Sequence, residues 1–307
     1  MLVIKRYLLV FLIAFVFKTQ AQDPLFTNNQ QSLLYLNPSF AGSNGFMRYQ
    51  TVYRNQWPNL SSPYVTFYNS FDSYIKRIKG GIALCYLNDN QANGTLITQR
   101  LDLTYAQHFL LMDKKLKIIP SLQITYLQKN IDITKLTFGS QIYQQNYLEI
   151  PSSKKSNIDF SSGLLINYQH LYFGASVFHF NQPDEGPLGY SKLPARLSMF
   201  ASYNILLSQK TVLHFYGRYE KQQSFYFYQL GVNAVLFKHL IVGTGYKYSN
   251  SIFTNLGFKN NYFTLQAGYE LYFSALSNTT FFSYEVSASF NFRTKEQRKT
   301  LTDFEKW

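Results

Sequence analysis

The sequence predicts an all-β chain: a transmembrane antiparallel β-barrel of about 14 strands, preceded by a cleaved signal peptide. Three observations lead there. Residues 1–21 have the order of a secretory leader. The remainder reads as short strands with one greasy and one polar face. Charge is scarce and rings are abundant: 15% charged and 18% aromatic, with 26 Tyr and 28 Phe in 307 residues.

The leader begins with Lys5 and Arg6, continues through the apolar run 7–17 and stops at Thr19-Gln20-Ala21. Charged, greasy and then small is the order that export machinery reads. A run of about 11 residues is too short for a bilayer-spanning helix, which needs about 20. Cleavage after Ala21 leaves a chain starting Gln22-Asp23-Pro24.

Soluble domains carry roughly 25% charged residues. A soluble chain with so little charge and so many rings would associate through its surface; one facing lipid would not. No segment after the leader approaches 18 consecutive apolar residues, which excludes a helical membrane protein. Inside a bilayer every backbone N–H and C=O must pair internally, so the remaining architecture is a closed sheet. A secreted β-sandwich is the rival.

Net charge is +13, and losing Lys5, Arg6 and Lys18 with the leader brings it to +10 (13 − 3). Export makes nucleic acid an unsuitable partner for this basic surface, leaving membrane lipids or an acidic partner. The single Cys85 forms no intrachain disulfide and fits no metal spacing, so it reads as a small packed hydrophobe.

Residues 22–45 form an irregular N-terminal arm or plug. Asn37-Pro38-Ser39-Phe40-Ala41-Gly42-Ser43 breaks any period, and residues 28–36 suit a short helix. The barrel itself is expected over 46–293. Its strands are predicted at 46–56, 63–74, 79–89, 95–110, 115–129, 157–169, 171–180, 195–207, 211–221, 225–237, 239–248, 251–258, 261–274 and 280–293. Residues 294–307 follow as a periplasmic C-terminal tail.

Alternation is the warrant for these spans. Phe263, Leu265, Ala267, Tyr269, Leu271 and Phe273 share one face, with Thr264, Gln266, Gly268, Glu270 and Ser274 on the other. Phe282, Tyr284, Val286, Ala288, Phe290 and Phe292 oppose Ser283, Glu285, Ser287, Ser289, Asn291 and Arg293. Arg100, Asp102, Thr104 and His108 oppose Leu101, Leu103, Tyr105 and Phe109. Alternation does not say which face points outward. Aromatics near strand ends, as at Phe282 and Phe292, fit interfacial girdles around a lipid-facing band. By this register the lumen receives Arg48, Arg54, Arg100, Asp102, Arg196, Glu270, Glu285 and Arg293, either lining a selective pore or filling the lumen with ion pairs.

The connections agree. Even-numbered ones are short and mostly basic, such as Ile75-Lys76-Arg77-Ile78, Met112-Asp113-Lys114 and Ser208-Gln209-Lys210. The long ones, 130–156 and 181–194, are odd-numbered. Short periplasmic turns and long outer loops are the asymmetry of outer-membrane barrels. The basic turns suit anionic headgroups or a periplasmic partner.

No catalytic set, cofactor-binding motif or metal spacing stands out. His108, His170, His179, His214 and His239 are dispersed, with no His-Glu-x-x-His, Gly-x-Ser-x-Gly or phosphate loop. The chain is not expected to be an enzyme or to carry a cofactor.

Several stretches resemble the PorP/SprF family of type IX secretion outer-membrane proteins. They are Gln22-Asp23-Pro24-Leu25-Phe26, the Asn37 to Ser43 stretch quoted above and Tyr53-Arg54-Asn55-Gln56-Trp57-Pro58. Lys135-Leu136-Thr137-Phe138-Gly139 with Gln141-Ile142 follows, then Gly174-Ala175-Ser176-Val177 with His179-Phe180-Asn181-Gln182-Pro183. Each motif is short, but their order spans nearly the whole mature chain. Ser39-Phe40 departs from the more usual Ala-Tyr, and the tail beyond Arg293 is long. The resemblance implies an outer-membrane location in a Bacteroidetes-type cell. It also implies type IX secretion machinery as partner, and a secreted cargo with a C-terminal sorting domain, such as a gliding adhesin. Arg54, Asn55, Gln56, Trp57, Pro58, His179, Asn181 and Pro183 then become candidate cargo contacts or loop clasps at the outer rim. An outer-membrane solute channel or uptake barrel is the alternative.

Overall fold

The computed structural model describes residues 23–113, 115–135, 153–248, 251–273 and 280–293. The leader, the tail 294–307, Lys114 and the 136–142 part of the fourth resemblance motif lie outside the described residues.

One antiparallel sheet closes on itself. Its strands are β1 (Met47–Gln56), β2 (Tyr64–Ile75), β3 (Gly80–Gln91), β4 (Leu96–Gln107), β5 (Phe109–Leu111), β6 (Leu116–Ile131), β7 (Ser153–Tyr168) and β8 (Leu171–Phe178). They continue with β9 (Arg196–Ser208), β10 (Thr211–Gln222), β11 (Phe225–Leu236), β12 (Leu240–Lys247), β13 (Ser251–Lys259), β14 (Phe263–Tyr272) and β15 (Phe282–Phe292). Each pairs with its neighbour in sequence, and β15 pairs with β1 to close the ring. Short β5 is the continuation of β4. Both pair with β6 in one unbroken register, Ala106 with Ser121 and Phe109 with Ile118. The interruption falls opposite Pro120, which has no N–H to give. The wall therefore has 14 strand positions. No described helix is long and apolar enough to cross a membrane; the crossing elements are strands.

Boundaries fall close to the predicted ones. The clearest difference is β7, which begins at Ser153 rather than 157 and pairs back to Ile131. This extension carries Lys154, Lys155 and Ser156 against Asn130, Lys129 and Gln128. It lacks an apolar face, so periodicity gives no sign of it.

The greasy faces point outward. Leu265 is 47% exposed and Phe290 41%, while Gln266 and Ser289 on the opposite faces are 4% exposed. This inverts a soluble sandwich, as lipid contact requires. A hollow of about 840 Å³ on the wall, lined chiefly by apolar side chains such as Val242, Leu256 and Val286, belongs to the same surface.

Inside one half of the ring is a second apolar cluster. Phe26, Leu33, Leu34, Tyr35, Leu36, Phe40 and Ala41 come from the N-terminal segment, and Val52, Tyr68, Cys85, Leu87, Ile119, Leu165, Tyr172 and Phe200 from the wall. Cys85 is a packed member of it. Within that segment, Leu33–Leu36 forms a single helical turn, α1. Asn37 caps the next short turn by accepting the Ser39 N–H at 2.8 Å, so the Pro38 ring, which has no N–H, falls where none is needed.

Candidate functional site: the plugged lumen

The short turns gather at one end of the barrel and the long connections at the other, which by the usual asymmetry faces outward. Residues 23–46 run through the lumen from the long-loop end to the short-turn end. Asp23 lies beside Arg196 and Gln222, at the long-loop ends of β9 and β10. The chain crosses to β14 and β15, where the Thr27 and Asn28 N–H groups donate to Glu285 at 2.9 and 3.0 Å. It returns to β7 and β8, where Asn37 Nδ2 donates to the carbonyls of Leu164 and Ala175, both at 3.1 Å. Ser39 Oγ meets Ser121 Oγ at 2.9 Å. At the short-turn end the Gly42 N–H donates to Asp72 at 2.9 Å, and His108 Nε2 lies 2.9 Å from the Ala41 carbonyl.

Two wall glycines make room for this segment. A side chain at Gly81 would overlap the Ala41 carbonyl, and one at Gly163 would overlap the Asn37 and Ser39 side chains. Gly42 itself adopts φ +65, a conformation that glycine tolerates best.

The lumen charges predicted from sequence fall into three groups along the ring, beside the buried pairs Arg218–Glu220 and Lys129–Glu185. At the short-turn end Arg48 Nε donates to Asp72 at 2.9 Å, its direct cross-strand neighbour. Near the seam, Arg54 donates to Glu270 at 2.9 Å and lies 3.6 Å from Glu285, while Lys247 and Ser251 also reach Glu270, at 2.9 and 2.8 Å. The third group centres on Asp23. Its Oδ2 is 2.8 Å from His179 Nε2, 3.3 Å from Arg196 Nε and 3.6 Å from Arg100 Nη1. His179 Nδ1 faces Asp159 at 2.5 Å, Arg100 also lies 3.5 Å from Asp102, and the Arg196 guanidinium stacks on Tyr35 and Phe178. A buried charge is tolerable when it is paired and hydrogen-bonded; each charge named here has an ion-pair partner, while Arg100 Nε and Asp159 Oδ1 are buried without a hydrogen bond.

Arg48, Arg54, Arg100, Asp102, Arg196, Glu270 and Glu285 are buried within the ring. Arg293 follows β15 at the short-turn end, half-buried, over the Phe46 ring. Among the rim candidates, Arg54 belongs to the seam group and His179 to the Asp23 group. Asn55 Nδ2 donates to the Tyr284 hydroxyl at 3.3 Å, and Gln56 ends β1. Trp57 turns the chain out of β1 at φ 59, with its N–H on Ser283 Oγ at 3.2 Å, its ring against Tyr64 and Tyr272, and Pro58 following. A bulky residue in that conformation is uncommon. Asn181 accepts the Phe160 N–H and donates to the Ile158 carbonyl, carrying on the β7 ladder beyond β8, and the Pro183 carbonyl accepts the Leu193 N–H. In the same outer loop Asp184 takes the Lys155 ammonium and the N–H groups of Ser191 and Gly186, which hold its carboxyl down at about 2.

Periodicity did not single out Asp23, Asp72, Asp159, Arg218, Glu220 or Lys247. For Asp72 a signal existed: direct pairing with Arg48 follows once the first hairpin register is set. Asp23 carried none, because nothing in a Pro-broken segment says which lumen charge it will meet. Among the described residues no cluster of three His, Cys, Asp or Glu could hold a metal ion. The arrangement suits electrostatic fastening of the plug, with both His179 ring nitrogens engaged.

Comparison with known proteins gives the same architecture. No curated protein matches the chain. The toluene transporter TbuX of Ralstonia pickettii is 12% identical, with 86% of this chain and 94% of that one covered, at a TM-score of 0.54. The CymD monoaromatic hydrocarbon channel is 13% identical, with coverage of 86% and 93% and a TM-score of 0.51. These likenesses speak to the fold, an outer-membrane barrel. The family model described as "Type IX secretion system membrane protein PorP/SprF" matches residues 18–290. Lipid-facing strands, a closed 14-position ring and that match over nearly the whole chain place the protein in the outer membrane, and it belongs to the PorP/SprF family.

Proposed function

We propose that this barrel is a binding partner in type IX secretion, receiving or holding a cargo with a C-terminal sorting domain, such as a gliding adhesin, at the outer rim. The observation that carries this reading is the occupied lumen: residues 23–46 fill it from end to end and are tied to wall charges at both mouths. A barrel filled by its own chain is better suited to recognition at its rims than to solute passage. The clasped outer hairpin at Trp57 and the braced loop around Asn181 and Asp184 give cargo a rigid platform. The short basic turns face the periplasm and suit secretion machinery or anionic headgroups.

Two measurements test this. Affinity capture of the intact protein from membranes should bring down secretion components and a protein with a C-terminal sorting domain. Deleting the gene should remove that protein from the cell surface; undiminished surface display would argue against the reading. In planar bilayers, steady ion-selective conductance lost on substitution of Arg100 or Glu285 would favour a solute channel instead.

A further inference from the structure

The hollow on the outer wall follows the strand ladder. Leu213, Ala234, Val242, Leu256, Ala267 and Val286 are cross-strand partners in turn, one outward residue from each of β10 to β15. Ala234 and Ala267 are short. In the next outward row so are Thr244 and Thr254, which pair with each other. All of these line the hollow of about 840 Å³. A convex wall becomes concave where short side chains interrupt tall ones. Thr244 Oγ1 donates to the Phe253 carbonyl at 3.1 Å, which leaves its methyl for the surface. Tyr269 and Tyr284, a cross-strand pair, line the hollow toward the outer end.

At the other end the turns are cationic. Lys210 and Lys238 belong to the short turns before β10 and β12, and Lys259 ends β13. The Lys238 N–H donates to the Lys210 carbonyl at 2.9 Å and the Lys259 N–H to the His239 carbonyl at 2.7 Å, so these turns stand side by side. Lys210 and Lys238 are exposed. Residues 208–210, 237–239 and 260–262 include no acid. Leu213 follows Lys210 by three residues and Ala234 precedes Lys238 by four. At about 3.4 Å per residue, the hollow starts roughly 10–14 Å from the lysines. One leaflet is about 15 Å deep, half of a hydrocarbon core of about 30 Å. The spacing therefore matches a lipid with its headgroup at the turns and its chains on the wall.

We propose that β10 to β14 hold one anionic phospholipid of the periplasmic leaflet. Its phosphate rests on Lys210 and Lys238, and its acyl chains fill the hollow, whose volume lies within the roughly 300–1,000 Å³ of small-molecule sites. The lysines select a net negative headgroup over a zwitterionic one. A glycolipid of the outer leaflet would bring its phosphates to the opposite end, where the hollow meets Tyr269 and Tyr284 instead of cations. The inner apolar cluster has no member on these strands, so the lipid packs from outside a stretch of wall that the plug's greasy residues do not reach.

The test uses the protein purified from outer membranes in mild detergent. Phosphatidylglycerol or phosphatidylcholine of identical chains is added, and retention is read by native mass spectrometry. One phosphatidylglycerol should be kept per barrel, with a preference of roughly 10- to 30-fold, as two lysines at a lipid phosphate imply. Lys210→Gln with Lys238→Gln should remove the preference. Ala234→Phe with Ala267→Phe should remove retention itself, and both double variants should keep heat-modifiable migration. Equal retention of the two lipids by the parent, or an unchanged preference in the lysine variant, overturns the proposal. So does a dimer that the phenylalanine variant dissolves, which would give the hollow to a second copy. Should that variant fail to fold, phosphatidylglycerol with a diazirine in its acyl chain is crosslinked to the parent. Adducts concentrated on β10 to β14 support the site; adducts spread evenly around the ring refute it.

Discussion

Arg54 on β1 and Glu270 on β14 meet at 2.9 Å across the intervening β15. The closing seam of the ring is thus spanned by an ion pair inside the lumen, in addition to the backbone ladder between β15 and β1.

Removing one partner should be costly. Arg54→Ala leaves Glu285 without its cation, while Glu270 keeps Lys247. The expected loss is about 3–5 kcal/mol, as for other buried pairs broken from one side. Urea unfolding in liposomes checks it. Arg54→Ala with Glu270→Ala should cost less than the sum of the two, with a coupling of about 0.5–3 kcal/mol; strict additivity would mean the pair is not a functional contact.

Plug seating should respond to the wall. Gly81→Val and Gly163→Val place carbon where Ala41 or Asn37 and Ser39 now lie. Overpacking of this kind costs about 1–3 kcal/mol, and the plug, lacking ladder bonds, should yield before the strands do. The variants should keep heat-modifiable migration while showing step conductance in planar bilayers where the parent stays closed.

The lipid face should resist charge in proportion to depth. Leu265→Arg, at an outward position within β14, should cost about 2–4 kcal/mol if near the midplane, and Leu111→Arg at a strand end only about 0–1. Equal costs by urea titration would contradict the outward assignment of these faces.

The outer loop should loosen in acid. Asp184 is held at about 2 against an ordinary 3.8, chiefly by Lys155. A carboxyl lowered on folding contributes stability above its unfolded value and loses it as pH falls through the folded one. Protection of the Gly186 and Ser191 amides, corrected for intrinsic exchange, should therefore be complete above about pH 4 and lost toward pH 2. Asp184→Asn should abolish that dependence.

Most of the wall was legible because lipid and lumen impose a period of two. Strand β14 shows this: every second residue from Leu265 to Leu271 is greasy. The span 95–110 was read as one strand, and the unbroken register through His108 justifies it. The plug was harder. Its cluster of Phe26, Tyr35, Leu36 and Phe40 obeys neither a helical nor a strand period, because its partners come from many strands rather than one face. The ion pairs were harder still. Arg54 and Glu270 lie 216 residues apart, and only the closure of the ring decides that they meet.

The inner apolar cluster draws on the N-terminal segment and on strands as far as Phe200 in β9, with no member from β10 onward. This cluster therefore gathers only β1 to β9, eight of the 14 strand positions. The other six are drawn in chiefly by ladder bonds and paired charges, which depend on direction and alignment. A misaligned final hairpin would leave Glu270 and Glu285 unmatched, so the electrostatics act as a proofreader for how the cylinder zips shut.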